Sequence, residues 1–239
     1  MSGQHPVDAA RPHGQNNQRR IAEKIATIMA YAFVLWDFDG TLADTFSCMV
    51  AAYNTLAARR GLRRIDDPEA ARGLTPLAFL RSLDIPLVRV PSILAGVLTA
   101  VQRDMENTRV FPGMKEVLGA FARAGCQMSI LSSNSRDNIL ACLRANGIAD
   151  YFGSVIGYRR ILGKGDGLRR FLKGQATTAE RAIYVGDEVR DILAARNAGM
   201  DVAAVSWGYN TRPLLAEHRP DYLMDRPEQL LTLLEQPPM

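Results

Sequence analysis

Five short apolar runs, Phe33–Trp36, Met128–Leu131, Val155–Ile156, Ile183–Val185 and Val202–Val205, are each bounded by Gly, Asp or Ser and followed by a stretch of helical spacing. Runs this short suit strands of a buried sheet. Their alternation with helices predicts βα units and an α/β fold built on a parallel sheet. Ligands of such sheets bind beyond the carboxyl ends of the strands, so the residues just after each run are the ones to read for chemistry.

The alternation breaks once. Residues 46–109 hold no run that reads as a strand; Phe46–Arg60 and Ser92–Met105 have helical spacing, with Pro68, Pro76, Pro86 and Pro91 punctuating the stretch between them. This segment reads as a helical insert after the first strand. Phe111-Pro112-Gly113 marks the return, so the core spans 29–45 and 110–239. Residues 1–28 lack apolar periodicity over most of their length and read as a disordered tail. At 239 residues and 47% hydrophobic content, the chain can bury one core with a small insert.

The formal net charge is +4. The tail carries Arg11, Arg19, Arg20 and Lys24 against Asp8 and Glu23, about half of that excess. The remainder reads as a mixed, solvated surface, and no nucleic-acid partner is expected. Cys48, Cys126 and Cys142 are odd in number and match no metal or redox spacing, which predicts free thiols in a reducing cytoplasm. No stretch approaches the roughly 20 apolar residues of a membrane helix. The apolar run before Trp36 lacks a small-residue cleavage site, so no signal peptide is read.

Four segments after the runs carry the chemistry. The first run leads into Asp37-Phe38-Asp39-Gly40-Thr41-Leu42-Ala43-Asp44. Two carboxylates just past a buried strand are costly unless a partner or a metal neutralises them, and Mg²⁺ suits an all-oxygen site. An ordinary Asp-Gly turn accounts for Asp39-Gly40 but not for Asp37. The second run ends at Ser132-Ser133-Asn134, which taken alone reads as a helix N-cap and in context offers donors to an anion. Lys164 stands among glycines in Gly163-Lys164-Gly165-Asp166-Gly167, as a phosphate-binding point charge or a solvated loop lysine. A P-loop is excluded by the spacing and by Gly165 where Ser or Thr is needed. The fourth run ends at Gly186-Asp187-Glu188-Val189-Arg190-Asp191, where Asp187 is placed to meet Asp37 across the sheet.

In this order the four segments resemble the haloacid dehalogenase superfamily. DFDGTLAD is similar to its first motif, Ser132 to its second, Lys164 to its third and GDEVRD to its fourth. YVGDEVRDILAARNAGM followed by VSWGYN looks like its phosphoglycolate phosphatase-like branch. The resemblance implies a Rossmann-like core flanked by helices, with residues 46–109 as a small helical cap. It implies Asp37 as nucleophile, Asp39 as acid and base with its backbone carbonyl on Mg²⁺, and Asp187 as a further ligand. Asp191 would act beside the metal or Lys164. Ser132 and Lys164 would bind phosphate, helped by Gly40, Thr41, Ser133 and Asn134. Arg72, in the Arg72-Gly73-Leu74-Thr75 stretch of the implied cap, reads either as a grip on a second anionic group or as a solvated helix-end residue.

The implied activity is Mg²⁺-dependent hydrolysis of a small phosphorylated metabolite through an aspartyl-phosphate, by a monomer or homodimer without a membrane partner. Dehalogenases of this superfamily lack the second Asp, which is present here as Asp39; phosphonatases need a cap lysine, and none lies between Asp44 and Phe111. A sugar phosphomutase on the same fold and a non-catalytic interaction module remain as alternatives. Metal-dependent turnover of para-nitrophenyl phosphate separates the last from the enzymes.

Overall fold

The computed structural model describes residues 31–72, 76–157 and 163–235. The tail expected over residues 1–28 and the Gly73-Leu74-Thr75 stretch lie outside the described residues. All five apolar runs form strands: β1 (Phe33–Trp36), β2 (Gln127–Ser132), β3 (Phe152–Gly157), β4 (Ala182–Gly186) and β5 (Asp201–Val205). A sixth, β6 (Tyr222–Met224), is too short to stand out as a run and joins at the edge. The sheet order is β3-β2-β1-β4-β5-β6, parallel throughout.

β1 is central, with Phe33 opposite Gln127 on one side and Ala182 on the other. The chain builds away from β1 through β2 to β3, then returns to its other flank with β4. The strand order therefore reverses between β1 and β4, where an open α/β sheet forms its ligand crevice.

Between Asp44 and Arg109 every described element is helical: α1 (Thr45–Arg60), α2 (Pro68–Arg72), α3 (Pro76–Ser82), a short 3₁₀ turn, and α4 (Val90–Arg103). Asp44 caps α1 by accepting from the Ser47 N–H at 3.1 Å, and Gly61 closes it at a φ of 63°, a left-handed value glycine adopts without strain. α4 buries Ile93, Val97 and Val101, one stripe at helical spacing, in the cluster that holds Tyr53 and Ala57 of α1. The two segments joining these helices to the sheet pair with each other. Asp44 N–H donates to Arg109 O at 2.9 Å, Phe111 N–H donates to Leu42 O at 3.0 Å, and Ala43 bridges Val110.

The remaining helices are α5 (Met114–Arg123), α6 (Arg136–Ala145), α7 (Lys164–Gly174), α8 (Val189–Asn197) and α9 (Arg212–Glu217). Strand alternation divides them into two layers. Val34, Trp36, Ile130, Ile183 and Val185 pack against Val117 and Phe121 of α5 and Ile139 and Leu143 of α6. Leu35, Leu131 and Tyr184 pack against Leu168 and Phe171 of α7 and Ile192 and Ala195 of α8. Each buried Leu, Ile or Phe contributes about 1.5–3 kcal/mol of transfer free energy. The result is the Rossmann-like, helix-flanked parallel sheet expected from the sequence. No described helix is long and apolar enough to cross a membrane.

Candidate active site

Asp37 is the first residue past β1, and its N–H still donates to Val185 O of β4 at 2.8 Å. That bond carries the strand register into the loop and aims the side chain into the crevice. Asp187 is the first residue past β4, and Asp191 lies in the first turn of α8. The carboxylates of Asp37, Asp187 and Asp191 all lie within 4.8 Å of one another and are buried. Lys164, the first residue of α7, reaches in from the other side. Its Nζ donates to Asp37 Oδ2 at 2.7 Å and to Asp191 Oδ1 at 2.5 Å. It is 8% exposed, so the solvated-loop reading of this lysine is excluded.

The electrostatics of this group are one-sided. Burial alone would lower the Lys164 pKa, but Asp191 and Asp37 hold it well above its ordinary value. Burial, and then the negative charges of Asp191, Asp37 and Glu188, push Asp187 well above the usual carboxylate range. Three buried carboxylates face one ammonium, which leaves a formal excess of two negative charges. Carboxylate oxygens also keep spare lone pairs after one hydrogen bond each. An all-oxygen, doubly negative cluster is the donor set that Mg²⁺ takes, so these residues fit the ion.

Asp187 is held from three directions. Its Oδ1 accepts from Thr41 Oγ1 at 2.8 Å and its Oδ2 from the Tyr209 N–H at 2.6 Å. Gly40 and Gly208 press against the same carboxyl group. A Cβ on Gly40, which has a φ of 74°, would meet Asp187 Oδ2 at 2.3 Å. A Cβ on Gly208 would meet Asp187 Oδ2 at 2.2 Å and its Cβ at 2.4 Å. Gly208→Ala should therefore displace Asp187 and cost about 1–3 kcal/mol, read as a lowered midpoint in urea unfolding. Activity should fall with it, and a wild-type midpoint would mean that the backbone yields there instead.

Asp39 stands apart from the three-carboxylate cluster. Asn134 Nδ2 donates to its Oδ1 at 3.0 Å. Burial and the negative charge of Asp37 raise its pKa to about 6, against the opposing pull of hydrogen bonds from Asn134 and Thr45 and of the Lys164 charge. A carboxyl group poised there can give up a proton and take one back near neutral pH. Ser132, at the end of β2, is buried, and its Oγ accepts from the Asn134 N–H at 3.3 Å. Ser133 follows it, half-buried. The N-cap reading of this stretch is displaced by one residue: α6 is capped by Ser135, whose Oγ accepts from the Asn138 N–H at 3.2 Å. Thr41 reaches Asp187 through its hydroxyl, while its N–H and that of Gly40 are engaged inside the loop with Phe38 O and Ala43 O.

Arg72 ends α2 and is not solvated, its side chain being 14% exposed. Its guanidinium lies 4.8 Å over the Phe46 ring, and Nη1 meets Glu69 at 3.3 Å. Nε is buried without a partner among the described residues. Phe46 packs edge-on against Tyr209, whose hydroxyl lies 3.1 Å from Thr45 Oγ1. The sequence by itself assigns no role to Gly208, Tyr209 or Asn138. The Trp-Gly-Tyr-Asn stretch just past the fifth run was the available signal for the first two.

Residues 34–205 match the family model described as haloacid dehalogenase-like hydrolase. A curated phosphoglycolate phosphatase of Synechococcus elongatus is 34% identical over 216 residues, covering 85% of this chain and 97% of that one. Pyrophosphatase PpaX of Bacillus velezensis is 25% identical over 216 residues, covering 83% and 94%. Among solved structures, a haloacid dehalogenase-like family hydrolase from Streptococcus pneumoniae superimposes with a TM-score of 0.70 at 19% identity, covering 85% and 98%.

Proposed function

The chain belongs to the haloacid dehalogenase-like hydrolase family, and from that premise we propose that it is a Mg²⁺-dependent phosphatase of the phosphoglycolate phosphatase kind. Its substrate would be a small phosphorylated metabolite, hydrolysed through an aspartyl-phosphate on Asp37. The observation that carries this reading is the convergence of Lys164, Asp187 and Asp191 on Asp37 at the strand-order reversal. The 34%-identical relative named for phosphoglycolate supports the substrate class.

An anionic nucleophile must approach an anionic phosphoryl group, so positioning and charge neutralisation carry most of the catalysis. A carboxylate oxygen of Asp37 attacks phosphorus as the bond to the leaving oxygen breaks. Asp39 gives its proton to that oxygen, which departs as an alcohol. Water then attacks the phosphorus, Asp39 takes the water's proton, and the Asp37 carboxylate is released. Lys164 lowers the repulsion at Asp37, and the Ser132 hydroxyl is a donor for a phosphoryl oxygen, with Ser133 beside it. Bound Mg²⁺, held by Asp37, Asp187, Asp191 and the Asp39 backbone carbonyl, would supply charge neutralisation at the phosphoryl oxygens.

The helices within residues 46–109 serve as the cap in this reading, and Arg72 takes the second anionic group of the substrate. Phosphate release from 2-phosphoglycolate, pyrophosphate and para-nitrophenyl phosphate tests both points. Arg72→Ala should cost roughly tenfold to a hundredfold in kcat/KM on 2-phosphoglycolate, the equivalent of about 1.5–3 kcal/mol, and little on para-nitrophenyl phosphate. Equal losses on both would make Arg72 a packing residue. Failure of the wild-type protein to release phosphate from any of the three would count against the phosphatase itself.

A further inference from the structure

We infer that Asn134 is the positioning residue for Asp39, holding its Oδ1 as an acceptor so that Oδ2 carries the transferable proton. The inference rests on the acid and base role proposed for Asp39. Asn134 Oδ1 accepts from the Ser135 backbone N–H at 2.8 Å, a group that can only donate, and Asn138 Nδ2 donates to the same oxygen at 3.0 Å. That settles which end of the amide is oxygen. The nitrogen therefore faces Asp39, donating at 3.0 Å, and an amide nitrogen cannot accept a proton back. Asp39 Oδ1 is kept unprotonated and the proton is directed to Oδ2.

A purely structural role for this amide is poorly served by the geometry. The start of α6 already has its cap in Ser135. The Asn138 side chain is then spent on orienting Asn134 rather than on the helix end. The first turn of α6 thus acts as a jig with one output, the N–H aimed at Asp39. It also leaves Asn134 less to offer a substrate, since its oxygen is taken twice and one N–H is committed.

In the proposed reaction an alkyl leaving group needs the Asp39 proton, whereas 2,4-dinitrophenolate departs without one. Both esters need Asp39 to deprotonate the water that cleaves the aspartyl-phosphate. In Asn134→Ala, kcat on 2-phosphoglycolate should therefore fall by about tenfold to a hundredfold, with KM within roughly a factor of two. With 2,4-dinitrophenyl phosphate, rapid-quench measurements should show a burst of dinitrophenolate near the wild-type rate, and phosphorylated enzyme accumulating behind it. Asn138→Ala, which only frees the amide to turn, should show the same pattern more weakly and decides the matter if Asn134→Ala does not fold. Equal slowing of the burst and of steady-state turnover, or a change confined to KM, would overturn the positioning role. Asp39→Asn separates the two layers. If it is inactive while Asn134→Ala and Asn138→Ala behave as wild type, only the positioning role fails. If it retains full turnover of 2-phosphoglycolate, the reading of Asp39 itself fails.

Discussion

Asp37→Asn protein is expected to fold normally and to turn over para-nitrophenyl phosphate on the order of 10⁴-fold more slowly than wild type, or not at all. The amide keeps the shape of the side chain but is a poor nucleophile. Its folding should not suffer, for a reason specific to this site. Lys164 donates to both Asp37 and Asp191, so it keeps a carboxylate partner when Asp37 is neutralised. The change also removes one of the charges that push Asp187 upward. The unfolding midpoint without added metal should therefore equal or exceed that of wild type. Substantial turnover by the purified variant, with contaminating phosphatase excluded by mass spectrometry and chromatography, would sink the covalent route.

Chelation should be nearly as damaging. EDTA-treated protein is expected to lose turnover of para-nitrophenyl phosphate, Mg²⁺ to restore it, and Ca²⁺ to fail to do so. Ca²⁺ prefers more ligands at longer and looser distances, which misplaces a carboxylate that must also attack in line. The same ion should register in stability, because the doubly negative cluster is costly without it. At about a hundred times its Kd, Mg²⁺ should add about 2.7 kcal/mol. Each kcal/mol moves Tm by roughly 2–4 °C in a chain of this size. Asp187→Asn should lose most of that Mg²⁺-induced rise. Full activity in a metal-free sample, or a Tm indifferent to Mg²⁺, would contradict the assignment.

Most of the sheet was legible in the sequence because β1, β2, β4 and β5 are buried over nearly their whole length and appear as short apolar runs, with the half-buried β3 marked only by Val155–Ile156. β6 was not, because three residues at an edge, Tyr222–Met224, bury too little to leave a run. Asp37, Asp39 and Asp187 could be named because each sits just past a run, and Lys164 because it stands among glycines. What holds them could not be. Asp187 is gripped by a backbone N–H of Tyr209 and by the missing side chains of Gly40 and Gly208. A main-chain donor has no letter of its own, and the letter of a glycine does not say which side chain its missing Cβ makes room for. Arg72 shows the same limit: its two readings share one sequence, and only the packing over Phe46 separates a buried guanidinium from a solvated one.

The central place of β1 has a consequence for how the protein is made. A ribosome emits Phe33–Trp36 before either of the strand's two neighbours, at Gln127 and Ala182, which follow only after the intervening helices have left the tunnel. Until then the most apolar strand of the sheet has both edges open. Helices α1–α4 can form from local contacts while it waits, but the sheet cannot. Pairing of this sequence separation is slow to form and exposed to aggregation while it is pending. Low yield on rapid overexpression, relieved by slower synthesis or by a chaperone that shields extended apolar segments, is the behaviour this topology calls for.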